Sequence, residues 1–204
     1  NGNAAATNFN PFTVNINTQR GKQSGWATLN PLDVYGSATF SNGNLTVYPA
    51  SGSSNAVFGS LPVTSGKWYW EVTVDSDTST GSMIGITDYQ YPVSRRSWYS
   101  TSGAQGWLYY TDGSKYTPGN PYTASSYGSS YTTGAVIGVA LDMNAGNCTM
   151  YKNNVSQGTL TSTGLSGNLI GPALGQGAST SGQPLYSINF GQKPFKFPPP
   201  AGFQ

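Results

Sequence analysis

Residues 136–152, VIGVALDMNAGNCTMYK, constrain this chain more than any other stretch. In an extended run side chains alternate at a period of two. Ile137, Val139 and Leu141 then form one face, and Val136, Gly138 and Ala140 the other. Both faces are apolar or small, the pattern of an inner strand covered on both sides. The bend Asn144-Ala145-Gly146-Asn147 supplies residues that tolerate a tight reversal, and CTMYK runs back. This hairpin is core scaffold. It sets the type of fold and carries no reactive centre, Asp142 and Lys152 near its far end reading as turn and rim partners.

The remaining chain repeats the theme. No window holds a sustained 3.6-residue apolar period, and Gly, Pro and Asn interrupt nearly every stretch. Short strand-like runs recur between turn clusters: NLTVY (44–48), KWYWEVTV (67–74), SMIGIT (82–87), GWLYY (106–110) and LYSINF (185–190). In the second of these, Trp68, Trp70, Val72 and Val74 share one face, with Tyr69, Glu71 and Thr73 on the other. Many short strands with turn signals between them predict an all-β, two-sheet antiparallel sandwich. Residues 1–36, with NPF and NPL, read as an extended N-terminal arm laid against a domain spanning 37–204. The excursion from Tyr89 to Tyr131 reads as loop apart from GWLYY. Three successive prolines make FKFPPPAGFQ a stop or linker rather than helix or inner strand. The chain begins at Asn1 and shows no signal peptide, which reads as a cut, a processed terminus or a piece of a longer chain.

Taken in order, SGKWYWEVTV (65–74), IGITD (84–88), the hairpin with its continuation to Gly158, and YSINFGQKPFKFPPPAGF (186–203) resemble the SPRY domain family. SNGNLTVY (41–48) fits its usual opening strand. The turn after Lys152 departs from the family's habit, being Asn153-Asn154 where Asn-Gly is common. The resemblance implies a bent, concanavalin-like (jelly-roll) β-sandwich used for binding, generally without catalysis. Residues 8–33, DGSKY (112–116) and 127–142 are further similar to SPRY-like modules of bacteriophage virion proteins, which implies a virion or extracellular setting.

Composition removes several kinds of chemistry. There is no histidine, hence no imidazole base or ligand and no Ser-His-Asp or Cys-His site. The single cysteine, Cys148, excludes an intrachain disulfide and a cysteine zinc site, and reads as a small buried thiol. Charged residues are 8% of the chain against about 25% in an average soluble protein, so there is no basic stripe for nucleic acid. No apolar run approaches the ~20 residues of a membrane helix. Glu71, the only Glu, is ~13 Å along the strand from Asp75, too far for the usual paired carboxylates of glycan cleavage. It reads as a strand residue with structural hydrogen bonds. DSDTSTG (75–81) has oxygen ligands at alternate positions, but its Gly is one place late for a calcium loop and Ile86 stands where the bidentate Glu belongs. It reads as a polar hairpin loop. No cofactor, metal or catalytic residue is expected. The sequons at Asn44, Asn147 and Asn154 matter only in a glycosylating host.

What remains is surface. YQYPVSRRSWYS (89–100) combines Tyr and Trp, which give rigid contact area, with Arg, which gives planar donors; these types concentrate at binding hot spots. Tyr89, Tyr91, Arg95, Arg96, Trp98 and Tyr99 are therefore the expected partner-binding residues, joined by Tyr122 from a second Tyr-Ser-Gly loop. The expected function is a non-enzymatic module of a phage surface protein (tail fibre, appendage or capsid decoration). Its partner would be a host-surface glycan or protein, or other virion proteins, with homo-oligomers compatible. The alternative is a cellular SPRY-type peptide-binding adaptor; a glycan-cleaving enzyme stands behind both.

Overall fold

A computed structural model describes residues 26–50, 55–78, 81–96, 104–118, 123–177 and 182–203. Its first seven strands are β1 (Leu29–Tyr35), β2 (Ala38–Ser41), β3 (Thr46–Pro49), β4 (Ala56–Gly59), β5 (Lys67–Ser76), β6 (Ser82–Asp88) and β7 (Gly106–Tyr110). The rest are β8 (Ser114–Thr117), β9 (Thr123–Ser126), β10 (Val136–Asp142), β11 (Asn147–Lys152), β12 (Val155–Thr161), β13 (Ile170–Gln176) and β14 (Leu185–Asn189). One helical turn, α1 (Val93–Arg96), lies between β6 and β7. The first sheet runs β1-β4-β13-β6-β7-β8-β9 and the second β12-β11-β10-β5-β14-β3-β2. Every pairing is antiparallel. The all-β sandwich expected from the strand spacing is the fold.

The hairpin takes the inner position its two apolar faces require. β10 lies between β5 and β11, and all seven of its residues are buried. Ile137, Val139 and Leu141 join Trp70, Val72 and Val74 of β5 against Ile84, Ile86, Tyr109 and Leu174 of the facing sheet. Trp68, on the same face, reaches past the strand end and is 38% exposed, its indole N–H donating to the Ser65 carbonyl. On the outer face, Gly138 makes room for Tyr69, since a Cβ there would lie 2.4 Å from the phenol oxygen. Asn153 and Asn154 both adopt positive φ, 47° and 69°, which asparagine tolerates better than most residues. The Asn-Asn turn is therefore a working substitute for Asn-Gly. Asn153 also ties the hairpin down, its Oδ1 accepting the Val136 amide at 2.9 Å.

Several strands escaped the sequence pattern. β13 reads IGPALGQ, and its Pro and two Gly look like loop. Yet all seven residues are buried, and Pro172 sits opposite Ile86 inside the sheet. Proline cannot donate to a ladder and is normally confined to sheet edges. β8 and β9, within the Tyr89–Tyr131 excursion, carry Ser, Lys, Tyr and Thr without apolar alternation, because they form the sheet's outer margin. Of the expected arm, residues 1–25 lie outside the described residues. Its end is a strand: β1 pairs with β4, with a register shift between Leu29 and Val34. Among the described residues no helix is long and apolar enough to cross a membrane.

Candidate functional site

The loop that follows β6 begins with an anchor. Tyr89 turns inward, its hydroxyl 2.8 Å from the Pro172 carbonyl and 3.0 Å from the Gly59 carbonyl. Its ring meets Phe58 edge-on at 6.0 Å. Gly171 is what lets the ring in, since a Cβ there would approach it to 2.6 Å. Val93 of α1 packs nearby on a second apolar cluster formed by Phe58, Met83, Leu108 and Ala173, on the side of the first sheet away from the main core. Tyr89 therefore holds the base of the loop. Tyr91 is half-buried, and its amide donates to the Asp88 carbonyl at 3.4 Å. The backbone of Arg95 and Arg96 forms the last half of α1. Trp98, Tyr99 and Tyr122 lie outside the described residues.

The carboxylates are engaged in the architecture. Glu71 is buried, taking hydrogen bonds from the amides of Lys196 and Phe197 and from the Tyr69 hydroxyl at 3.3 Å. Asp77 accepts the amides of Gly81 and Ser82 with its two carboxylate oxygens, tying the end of β5 in the second sheet to the start of β6 in the first. No group of three or more acidic, Cys or His residues that could hold a metal occurs among the described residues. Asp142 caps its own turn by accepting the amides of Asn144 and Ala145, and pairs with Lys67 at 3.0 Å. Burial pushes its carboxyl up, but the Ala145 amide, Lys67 and the Asn144 amide outweigh this and hold it below the usual carboxylate range.

Buried tyrosines bond backbone groups across the core, and Tyr186 of the second sheet reaches β13 and β6 of the first. Tyr131 donates toward Ser82 and Tyr109 carbonyls at 3.0 and 2.8 Å, and Tyr186 donates to Gly175 at 2.6 Å while accepting the Met83 amide. Tyr109 donates to the Ser129 carbonyl. Burial pushes the Tyr109 phenol up to about 12, and raises those of Tyr131 and Tyr186 too. It likewise raises the Cys148 thiol, which keeps that buried cysteine in the inert thiol form.

A model of the SPRY domain matches residues 67–183, from the first residue of β5 to just before β14. The chain belongs to the SPRY domain family. Over 142 residues it is 32% identical to the Ran-binding proteins 9/10 homolog of Drosophila melanogaster, a match covering 67% of this chain and 13% of that protein. The E3 ubiquitin-protein ligase RKP of Arabidopsis thaliana is 31% identical over 135 residues, 65% of this chain and 10% of that protein. This SPRY domain thus spans about a tenth of the length of either relative. The crystal structure of the SPRY domain of human HERC1 superimposes with a TM-score of 0.66 at 21% identity, covering 81% of this chain and 99% of that one. None of the three is a virion protein, so the finer likeness to phage modules gains nothing from them. SPRY domains are generally protein-binding modules.

One concave feature went unnoticed in the sequence. A groove of about 440 Å³ lies between the β7–β8 margin of the first sheet and the edge strand β12 of the second, lined by Trp107, Lys115, Thr117, Pro118 and residues 159–164. It is assembled from three separate segments with no shared motif.

Proposed function

We propose that this SPRY domain is a non-catalytic recognition module that captures a peptide segment of a partner protein through the loop after β6. The observation that carries the reading is the anchoring of that loop. Tyr89 and Val93 fix its base to the first sheet, and the same short segment carries Arg95, Arg96, Trp98 and Tyr99. A fixed base beside a stretch rich in aromatic and guanidinium residues suits peptide capture, because less conformational freedom is then lost on binding. The relatives favour the cellular adaptor reading over a phage role, one of them being named for binding Ran and the other for ubiquitin ligation.

Selection of a displayed random-peptide library on the immobilised domain tests this. Enriched peptides should bind the wild type and lose at least about tenfold in affinity to a Trp98→Ala, Arg95→Ala double variant, a hot-spot loss on the scale of 1.4 kcal/mol or more. Thermal unfolding should stay nearly unchanged. A double variant that binds the same peptides equally well removes the loop from the reading. Selection of glycans in place of peptides would remove peptide capture itself.

A further inference from the structure

The groove beside β12 holds a cation facing neutral partners. Lys115 Nζ donates to the Leu160 carbonyl at 3.1 Å, lies 3.5 Å from the Thr159 carbonyl, and sits 5.3 Å from the centre of the Tyr127 ring. The acid nearest in sequence, Asp112, is folded back on its own turn, accepting the amide and hydroxyl of Ser114. Among the described residues the ion pair formed is Lys67 with Asp142, and Lys115 has no carboxylate within pairing distance. An ammonium parked on carbonyls gains by exchanging them for a carboxylate, since hydrogen bonds between two charged groups are the stronger kind.

The walls are preformed. Thr161 and Thr163 bond each other reciprocally, the Thr161 hydroxyl donating to the Thr163 carbonyl at 2.9 Å and accepting the Thr163 amide. Gly164, at φ +78°, lies so close to the Trp107 ring that a Cβ would approach it to 2.8 Å, and Asn168 holds the Gly164 carbonyl at 2.7 Å. Thr117, Thr159 and Ser162 add further hydroxyls to the lining. The volume falls in the range of ligand clefts, ~300–1,000 Å³.

Two details narrow the occupant. The Gly158 carbonyl of the edge strand is already capped by the Tyr127 hydroxyl, which opposes simple extension of the sheet by a guest strand at that point. Trp107 is only 6% exposed, too little to offer the open ring face on which a sugar stacks. We propose that this groove is a second binding site, separate from the loop after β6, which takes an acidic peptide segment by placing an Asp or Glu carboxylate on Lys115 while its backbone bonds the threonine and serine hydroxyls.

Amide and indole NMR spectra of the labelled domain, titrated with the blocked peptide Ac-Asp-Thr-Asp-Thr-NH2, test the assignment. Saturable shifts should appear at residues 159–164 and at the Trp107 indole, weakening as salt is added. The neutral peptide Ac-Asn-Thr-Asn-Thr-NH2 should bind at least about tenfold more weakly. Lys115→Gln should lose the discrimination and Lys115→Arg should keep it. Equal shifts with the two peptides, no shifts, or the same shifts from sodium acetate alone would each overturn the proposal, and the wild-type comparison stands even if a variant fails to fold. Shifts confined to the loop after β6 would overturn the groove while supporting peptide capture by the loop.

Discussion

Glu71 accepts the backbone amide of Lys196 at 2.7 Å, across 125 residues of chain, and that of Phe197 at 2.8 Å with its other oxygen. The proline-rich C-terminal segment is thereby strapped over the outer face of the second sheet. Phe195 completes the contact by meeting the Tyr69 ring edge-on at 5.0 Å. The carboxylate places one oxygen on each of the two adjacent amides. Glu71→Gln turns one acceptor into a donor facing an N–H. Charge-assisted bonds are worth about 1.5–3 kcal/mol each, so a loss of about 2–3 kcal/mol is expected. Thermal melts and trypsin cleavage after Lys196 should register it together; an unchanged melt and cleavage pattern would mean the strap is held by its aromatic contacts alone.

Gly85 is expected to tolerate no side chain. A Cβ at this position of β6 would lie 2.0 Å from the Trp107 carbonyl oxygen and 2.7 Å from the Leu108 Cα. Both are backbone atoms of the neighbouring strand and cannot swing aside. Gly85→Ala should therefore cost about 3 kcal/mol or more, at the upper end of overpacking effects. Denaturant unfolding measures it, and a variant within about 1 kcal/mol of wild type would show the β6–β7 pairing to be more compliant than the geometry implies.

Tyr89 should separate stability from recognition. Tyr89→Ala removes the ring on Phe58 and leaves the Gly59 and Pro172 carbonyls without their shared donor. A destabilisation of about 3 kcal/mol is expected from large-to-small truncation. Tyr89→Phe should cost about 1 kcal/mol, the net worth of an ordinary hydrogen bond. Peptide affinity measured well below each variant's melting temperature should fall little with Tyr89→Phe. A large affinity loss in that variant would place its hydroxyl at the partner instead.

Acid should weaken the main hairpin through Asp142. Its folded carboxyl titrates below the unfolded value of about 3.9. The stabilisation is thus complete above that value and disappears as pH falls through the folded one. Lys67 is substantially exposed, with 43% side-chain accessibility, so solvent screens the pair and the effect should be under about 1 kcal/mol. Stability profiles of wild type and Asp142→Asn should separate above about pH 5 and draw together as pH falls below the unfolded carboxylate value and through the folded one. Parallel profiles would remove Asp142 from the acid response.

Alkali should act through the buried tyrosines. The Tyr109 phenol is raised to about 12, and burial raises those of Tyr131 and Tyr186 as well, against about 10 in the unfolded chain. Their contribution is full below about pH 10 and is lost as pH rises toward the folded values. Phenolate absorbance should show exposed tyrosines titrating first and the buried set ionising together with loss of the β circular dichroism. Complete titration while the dichroism persists would contradict their burial.

Much of the fold was legible where local chemistry is unambiguous. Alternation in KWYWEVTV and the two apolar faces of VIGVALD announced β5 and β10, because burial on one face or two imposes a period that sequence preserves. β13 was hidden because Pro172 and its glycines obey a packing rule, contact with Tyr89 and Gly59, that no neighbour in sequence reveals. The aromatic loop was visible as composition, but composition did not reveal that Tyr89 packs on the sheet and bonds the Gly59 and Pro172 carbonyls.

The sequence alone determined that this is an all-β SPRY sandwich and, through the absence of histidine, that imidazole chemistry has no place in it. Periodicity and residue chemistry are local properties, and they survive in a linear string. Only the tertiary structure decided what Glu71 clamps, which tyrosine anchors the loop, and that Lys115 lies in a groove between two sheets with no carboxylate partner among the described residues. Each of those depends on segments tens of residues apart meeting at a distance of a few ångströms, and such contacts are fixed by strand order and register rather than by the residues' own preferences.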